Sequence, residues 1–279
     1  MIREDAGLHR AQRAFRSVLD AFARPGTVHV VEPAANSPAR PVALGASLEA
    51  VVRLFVDQAV TFCVADAESD ATAAYLTGET HARRFPVREA DFVVVPARAD
   101  AQTAEEAVAQ ACRGTLVSPE KGATVLVGCA RLAPADEAAG ECGGEPALHV
   151  VEVRGPGVAD VNRFAVDRVD WARARDARHD EFPCGIEIVL VDPDGRVVAV
   201  PRSSRATLLD VKQSAQGSAI REQMFHVKHS EATPGEVVET GASAAGGASA
   251  AFAEDRAFSV SAAPVAGCAP AASAAKEVR

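Results

Sequence analysis

The chain has 279 residues, of which 48% are hydrophobic, 24% charged and 5% aromatic. That length fits one large domain or two small ones, and the composition is globular, with a core of Val, Ala, Leu and Phe rather than Tyr and Trp. A net charge of −9 argues against a general nucleic-acid or anionic-membrane surface, although a few converging arginines could still hold an anionic small molecule.

No apolar signal core opens the sequence and no run nears membrane-spanning length, so the expected location is the cytoplasm, with no nucleic-acid or membrane partner. The cysteines, Cys63, Cys112, Cys129, Cys142, Cys184 and Cys268, show no CxxC and no His-paired spacing, which argues against a metal site. Cys63 and Cys129 lie in strand-like apolar runs and read as small buried hydrophobes.

In chain order, Leu8 to Ala23 places Leu8, Phe15, Val18, Leu19 and Phe22 near one helical face, and Pro25-Gly26 ends the helix. Thr27 to Val31 reads as a strand. Ser47 is the expected N-cap of a helix to about Asp57, with Leu48, Val51, Val52 and Phe55 inward. Val60 to Ala65 is an expected buried strand and Asp70 to Thr77 a helix. Phe92 to Val95 is a strand; Thr103 to Cys112 is a helix, with Thr103 and Glu106 spaced like a capping box. Ala123 to Leu132 and Leu148 to Val153 are strands around an acidic, Gly-rich loop from Ala133 to Pro146, and a helix covers Val169 to Arg178.

The segment His179 to Arg202, HDEFPCGIEIVLVDPDGRVVAVPR, closes this part of the chain. Two apolar β-branched runs around Asp192-Pro193-Asp194-Gly195 predict a β-hairpin. Continuous apolar strands alternating with helices predict an α/β sandwich with a mixed sheet covered on both faces. From about Gly217 onward the Ala/Gly/Ser tracts have little to bury and read as a disordered tail. The expected organisation is therefore an α/β domain over residues 1–210 and a low-complexity tail over 211–279. Within that tail Met224 to His229, MFHVKH, back-translates to a palindrome resembling a bacterial chromosome-partition site.

Few motifs carry chemistry. Ser118-Pro119-Glu120-Lys121 matches the SxxK pattern of some acylating enzymes, but its companion motifs are absent and a turn explains it. Arg154-Gly155-Pro156-Gly157 follows a strand and precedes a possible helix, so it is either a phosphate-cradling loop or a tight turn. His179 with Asp180 and Glu181 is the one local cluster suited to acid–base work, and His179 is the sole catalytic candidate; the alternative is a solvated loop. Ser203-Ser204 beside Arg202 and Arg205 could hold a phosphate through charge-assisted bonds or be an exposed strand end.

Several stretches, in order, carry a resemblance: Ala11-Gln12-Arg13-Ala14-Phe15-Arg16, Ala23-Arg24-Pro25-Gly26-Thr27, Arg84-Phe85-Pro86, Gly114 to Thr124, Phe182-Pro183-Cys184-Gly185-Ile186-Glu187 and Ala199-Val200-Pro201-Arg202. Together they span about residues 8 to 205, and the chain resembles the PhnH family, a subunit of the bacterial carbon–phosphorus lyase system for phosphonate use. The resemblance implies a three-layer α/β/α sandwich similar to the large domain of type I pyridoxal-phosphate (PLP) transferases, without the cofactor. It also implies a homodimer and assembly with the partner subunits G, I, J and L. With G, I and L the subunit so implied belongs to a synthase in which phosphonate displaces adenine from ATP, giving α-D-ribose 1-methylphosphonate 5-triphosphate. ATP is then a substrate of the complex, and this subunit holds no cofactor or metal of its own. The C–P bond is broken later by another subunit with iron–sulfur chemistry, for which this chain lacks clustered cysteines. Arg24, Arg202 and Arg205 are the expected phosphate or partner contacts. Two alternatives remain: a stand-alone anion-binding α/β protein relying on Arg202, and a PLP-type enzyme relying on Lys121.

Overall fold

The structure is a computed structural model that describes residues 2–139 and 147–209 of the chain. Its centre is a seven-stranded mixed sheet in the order β1-β10-β9-β5-β4-β2-β3, built from β1 (His29–Val30), β2 (Thr61–Val64), β3 (Arg83–Arg84), β4 (Phe92–Val95), β5 (Thr124–Gly128), β9 (Glu187–Val191) and β10 (Arg196–Val200). The strands from β3 through β9 pair in parallel, and β10 runs against both β9 and β1.

Strand periodicity divides the buried side chains between two cores. Val94, Leu126 and Val189, aligned across β4, β5 and β9, face α1 (Ile2–Ala23), α2 (Ala46–Phe55) and α3 (Ser69–Thr80). Val93, Val125 and Ile188 face the opposite way, toward α4 (Ala101–Gln110) and α5 (Asp170–Ala177). On that side the helices share the layer with a four-stranded antiparallel sheet, β11-β7-β8-β6. It comprises β6 (Leu132–Pro134), β7 (His149–Arg154), β8 (Asn162–Val166) and β11 (Arg205–Leu208), and its Val151, Val153 and Phe164 fill the same core. The expected α/β sandwich with a mixed sheet is present, but one outer layer is part helix and part sheet. This second sheet is inserted between β5 and β9 and completed by β11 after β10.

The hairpin forms as its turn residues dictate. Val197 lies opposite Val191 and Val200 opposite Ile188. The Asp192 side chain, 3% exposed, accepts the backbone N–H of Arg196 at 2.8 Å and of Leu132 at 3.2 Å, so one carboxylate closes the hairpin and anchors the start of the second sheet. Burial raises the Asp192 pKa despite those bonds. Gly195 takes φ +83°, and a Cβ there would stand 2.1 Å from the Val31 carbonyl oxygen, so the turn admits only glycine.

Several local expectations are corrected. Helix α1 begins at Ile2, and its inward residues are Ala14, Val18 and Ala21, with Phe22 partly buried; Leu8, Phe15 and Leu19 are more than half exposed. Small side chains let α1 lie close on the sheet, which turns the larger apolar stripe outward. The N-cap of α2 is Gly45, while the buried Ser47 hydroxyl donates to the Pro193 carbonyl at 2.8 Å. The N-cap of α4 is Asp100, whose carboxylate accepts the Thr103 N–H at 2.9 Å; Thr103 and Glu106 both lie inside the helix and form no capping box. The run Ala123 to Leu132 is two strands in different sheets, because Asp167 holds the Ala130 and Arg131 N–H groups at 3.0 Å and bends the chain between them. The expected loop from Ala133 therefore starts within β6, and part of it, residues 140–146, lies outside the described residues, as do the tail over 211–279 and the Met224 to His229 segment.

Candidate functional site

The charged end of the hairpin borders a cleft of about 440 Å³. After β10 the chain crosses from the main sheet to the second sheet through Pro201 to Ser204, and the cleft lies in the corner formed with α5. Glu187 and Ser204 bracket the amino end of β9 and the carboxyl end of β10. The cleft thus sits at the amino ends of the parallel strands, away from the carboxyl ends where open α/β sheets usually place ligands.

Of the residues singled out from the sequence, His179, Arg202 and Arg205 line this cleft, together with Ser203 and Ser204. Arg24 does not. It lies past the end of α1, exposed and 3.4 Å from Asp20, and neighbouring Ala23 abuts the Gly157 turn. His179 takes φ +49° just past α5; its ring is exposed and has no hydrogen-bond partner among the described residues. Asp180 faces Arg178 at 2.7 Å rather than the imidazole, and Arg178 also donates to the carbonyls of Val108 and Ala109 at 2.8 Å. That arrangement fastens α5 to α4 and leaves His179 without an orienting carboxylate.

Arg202 is held in place by the fold. Its Nε donates to Glu187 at 2.6 Å, its backbone N–H reaches the other Glu187 oxygen at 2.8 Å, and Nη1 donates to the Pro119 carbonyl. Ser118 to Lys121 therefore acts as a packing element. Pro119–Lys121 is one 3-10 turn, Gly122 comes so close to Gly185 that a Cβ would lie 2.3 Å from the Gly185 carbonyl oxygen, and Lys121 is exposed. Arg154 to Gly157 is a tight turn between β7 and β8, not the entrance to a helix, and Arg154 pairs with Glu152 at 2.8 Å.

Sequence reasoning missed Arg175. Ala172, Arg175 and Asp176 fall three or four residues apart on the face of α5 toward the cleft, with His179 just beyond its end, a spacing that could have pointed to it. Arg175 Nη2 donates to the carbonyls of Pro201 at 2.7 Å and Ser204 at 2.9 Å. No carboxylate pairs with it among the described residues, and burial lowers its pKa from the usual guanidinium value. Elsewhere Cys129 is buried as expected while Cys63 is only partly so, and burial raises the Cys63 thiol and strongly raises that of Cys129. Among the described residues no group of three or more His, Cys, Asp or Glu side chains could hold a metal, and no helix is long and apolar enough to cross a membrane.

The fold and cleft define an α/β protein with a mixed sheet, an inserted antiparallel sheet and an arginine-lined recess between them. Over residues 5–207 the chain matches the model of the bacterial phosphonate metabolism protein PhnH, and it belongs to that family. It is also 29% identical over 202 residues to HtxG of Stutzerimonas stutzeri, a protein whose name provisionally makes it a C-P lyase subunit; the match covers 71% of this chain and 87% of HtxG.

Proposed function

We propose that this chain is a non-autonomous subunit of a C–P lyase enzyme system acting in organic phosphonate catabolism. The match to the PhnH family over nearly all the described residues carries this reading, and the likeness to HtxG supports it. Within that system the chain serves, with subunits G, I and L, the synthase step in which phosphonate displaces adenine from ATP, and it assembles with subunit J as well, as a homodimer in the cytoplasm. Its surface suits assembly. Leu8, Phe15 and Leu19 form an exposed apolar stripe on α1, while Leu116 and Phe182 stand 77% and 73% exposed at two further loops. The subunit is read as contributing no cofactor of its own, and the exposure of Lys121, which gives it no desolvating pocket, supports that reading.

The test is co-expression of the tagged full-length chain with the four other subunits. The expected result is a stable complex that releases adenine from ATP only with phosphonate and only when this chain is present. A clean monomer that ignores every partner, or adenine release undiminished without the chain, overturns the reading.

A further inference from the structure

The cleft beside α5 holds an arginine, Arg175, that forms no ion pair among the described residues, although the carboxylates of Glu187 and Asp180 lie near enough to act on it. Around it the charges are matched: Asp180 serves Arg178 at 2.7 Å and Glu187 serves Arg202 at 2.6 Å. Asp176 stands exposed at the rim. Arg175 differs, for both its recorded bonds, to the Pro201 and Ser204 carbonyls, use Nη2. Those two bonds pin the guanidinium plane and leave Nε and Nη1 with no protein partner among the described residues. Arg205, also on the cleft, is exposed and in no ion pair among the described residues. In the same wall the Ser204 hydroxyl is buried and has no partner among the described residues.

A pinned guanidinium with free N–H groups is the group that binds tetrahedral oxyanions in fixed geometry, because the cost of ordering the side chain is already met by the fold. We propose that this cleft is an oxyanion site for a phosphate-type head group, with Arg175 as the fixed anchor and Arg205 as the mobile cation that closes on the ligand. The Ser203 hydroxyl at the rim supplies a further donor. At about 440 Å³ the recess has room for more than the head group, and Phe182, Ile186 and Ala206 give its remainder an apolar lining suited to a small organic substituent. The inference stands on the cleft alone and is independent of membership in a complex.

The test is titration of the full-length chain, without partners, with inorganic phosphate, followed by calorimetry and thermal shift against sodium chloride of equal ionic strength. Saturable binding is expected, weakened at least about tenfold in Arg175→Met and in Arg205→Ala, the loss of one charge-assisted contact. Arg88→Ala, exposed and away from the cleft, should bind as the parent chain does. If Arg175→Met does not fold, Arg205→Ala decides, since its exposed side chain supports no packing. No saturable response beyond that of chloride overturns the proposal, as does unchanged binding in the deciding variant. Failure here leaves co-purification with the other subunits untouched, so the two readings fall separately.

Discussion

Arg202 and Glu187 close the open end of the β9–β10 hairpin through two hydrogen bonds, from the guanidinium Nε at 2.6 Å and from the backbone N–H at 2.8 Å, to the two oxygens of one carboxylate. Both side chains are mostly buried, at 21% and 16% exposure. Removing the arginine leaves a mostly buried carboxylate with only a backbone donor and frees the Pro119 turn. Arg202→Met should destabilise the chain by about 2–3 kcal/mol, measured by urea unfolding. The Arg202→Met, Glu187→Met double variant should recover part of that loss. A cost near zero for the single variant would make the pair a surface contact.

Gly195→Ala tests the other end of the same hairpin. A Cβ there meets the Val31 carbonyl, and the residue sits at φ +83°, so the variant must both strain the turn and push β1 off β10. Destabilisation of at least about 2 kcal/mol is expected. The Val31 amide, which bonds the Gly195 carbonyl at 2.8 Å, should lose hydrogen-exchange protection ahead of the central strands.

The hairpin was legible because its signals are local: a Pro-Asp-Gly turn between two β-branched runs. Of the second sheet only β7 was, as the strand over Leu148 to Val153. β8 and β11 are short, β8 opens on the polar Asn162-Arg163 and β11 alternates with polar residues, and the expected strand runs on to Leu132 because the bend at Ala130 and Arg131 depends on Asp167, 37 and 36 residues further on. On α1 the expected apolar face is split, Val18 and Phe22 packing inward and Leu8, Phe15 and Leu19 outward, since periodicity cannot tell which of two adjacent apolar stripes lies against a sheet. Arg175 was invisible for a related reason. In a segment reading Ala-Arg-Ala-Arg-Asp-Ala-Arg all the arginines look alike, and only the tertiary position of Pro201 and Ser204 separates the one whose guanidinium is pinned by backbone carbonyls beside the cleft.

Asp100 makes the capping of α4 sensitive to pH. Bonds from the Thr103 hydroxyl at 2.7 Å and from its N–H lower the carboxyl pKa below the ordinary aspartate value. A lowered folded pKa means the cap stabilises fully above the unfolded value and is lost as pH falls through the folded one. The parent chain should therefore lose stability relative to Asp100→Asn below about pH 4, as read by melting at successive pH values. Asp100→Ala should lower the melting point at neutral pH, and Glu106→Ala should leave it nearly unchanged.

Lys121 gives a direct test of the cofactor-free reading. The purified chain should show no absorbance band of a lysine Schiff base after incubation with pyridoxal phosphate, and Lys121→Ala should support phosphonate-dependent growth as the parent gene does. A band that Lys121→Ala abolishes would instead establish the PLP-type alternative. Exposure of the side chain on a 3-10 turn is the reason to expect none.

Glu49 is the most buried charge of the α1–α3 layer, at 1% exposure, and its carboxylate is shared among three donors. Arg53 Nε and the Tyr75 hydroxyl each reach Oε1 at 2.8 Å, Arg40 takes Oε2, and Arg53 also pairs with Glu79. These contacts tie α2 to α3 and to the loop carrying Arg40. In such an arrangement the pieces are unequal. Glu49→Ala strands a largely buried Arg40 and a partly buried Arg53 together with the tyrosine hydroxyl, and should cost about 3 kcal/mol. Tyr75→Phe removes one neutral donor and leaves both ion pairs in place, so about 1 kcal/mol is expected. Glu79→Ala loses only the outer, more exposed pair and should cost less than either. Unfolding of the three variants in urea gives the order directly, and an equal cost for all three would show that the helices are held by their apolar faces alone.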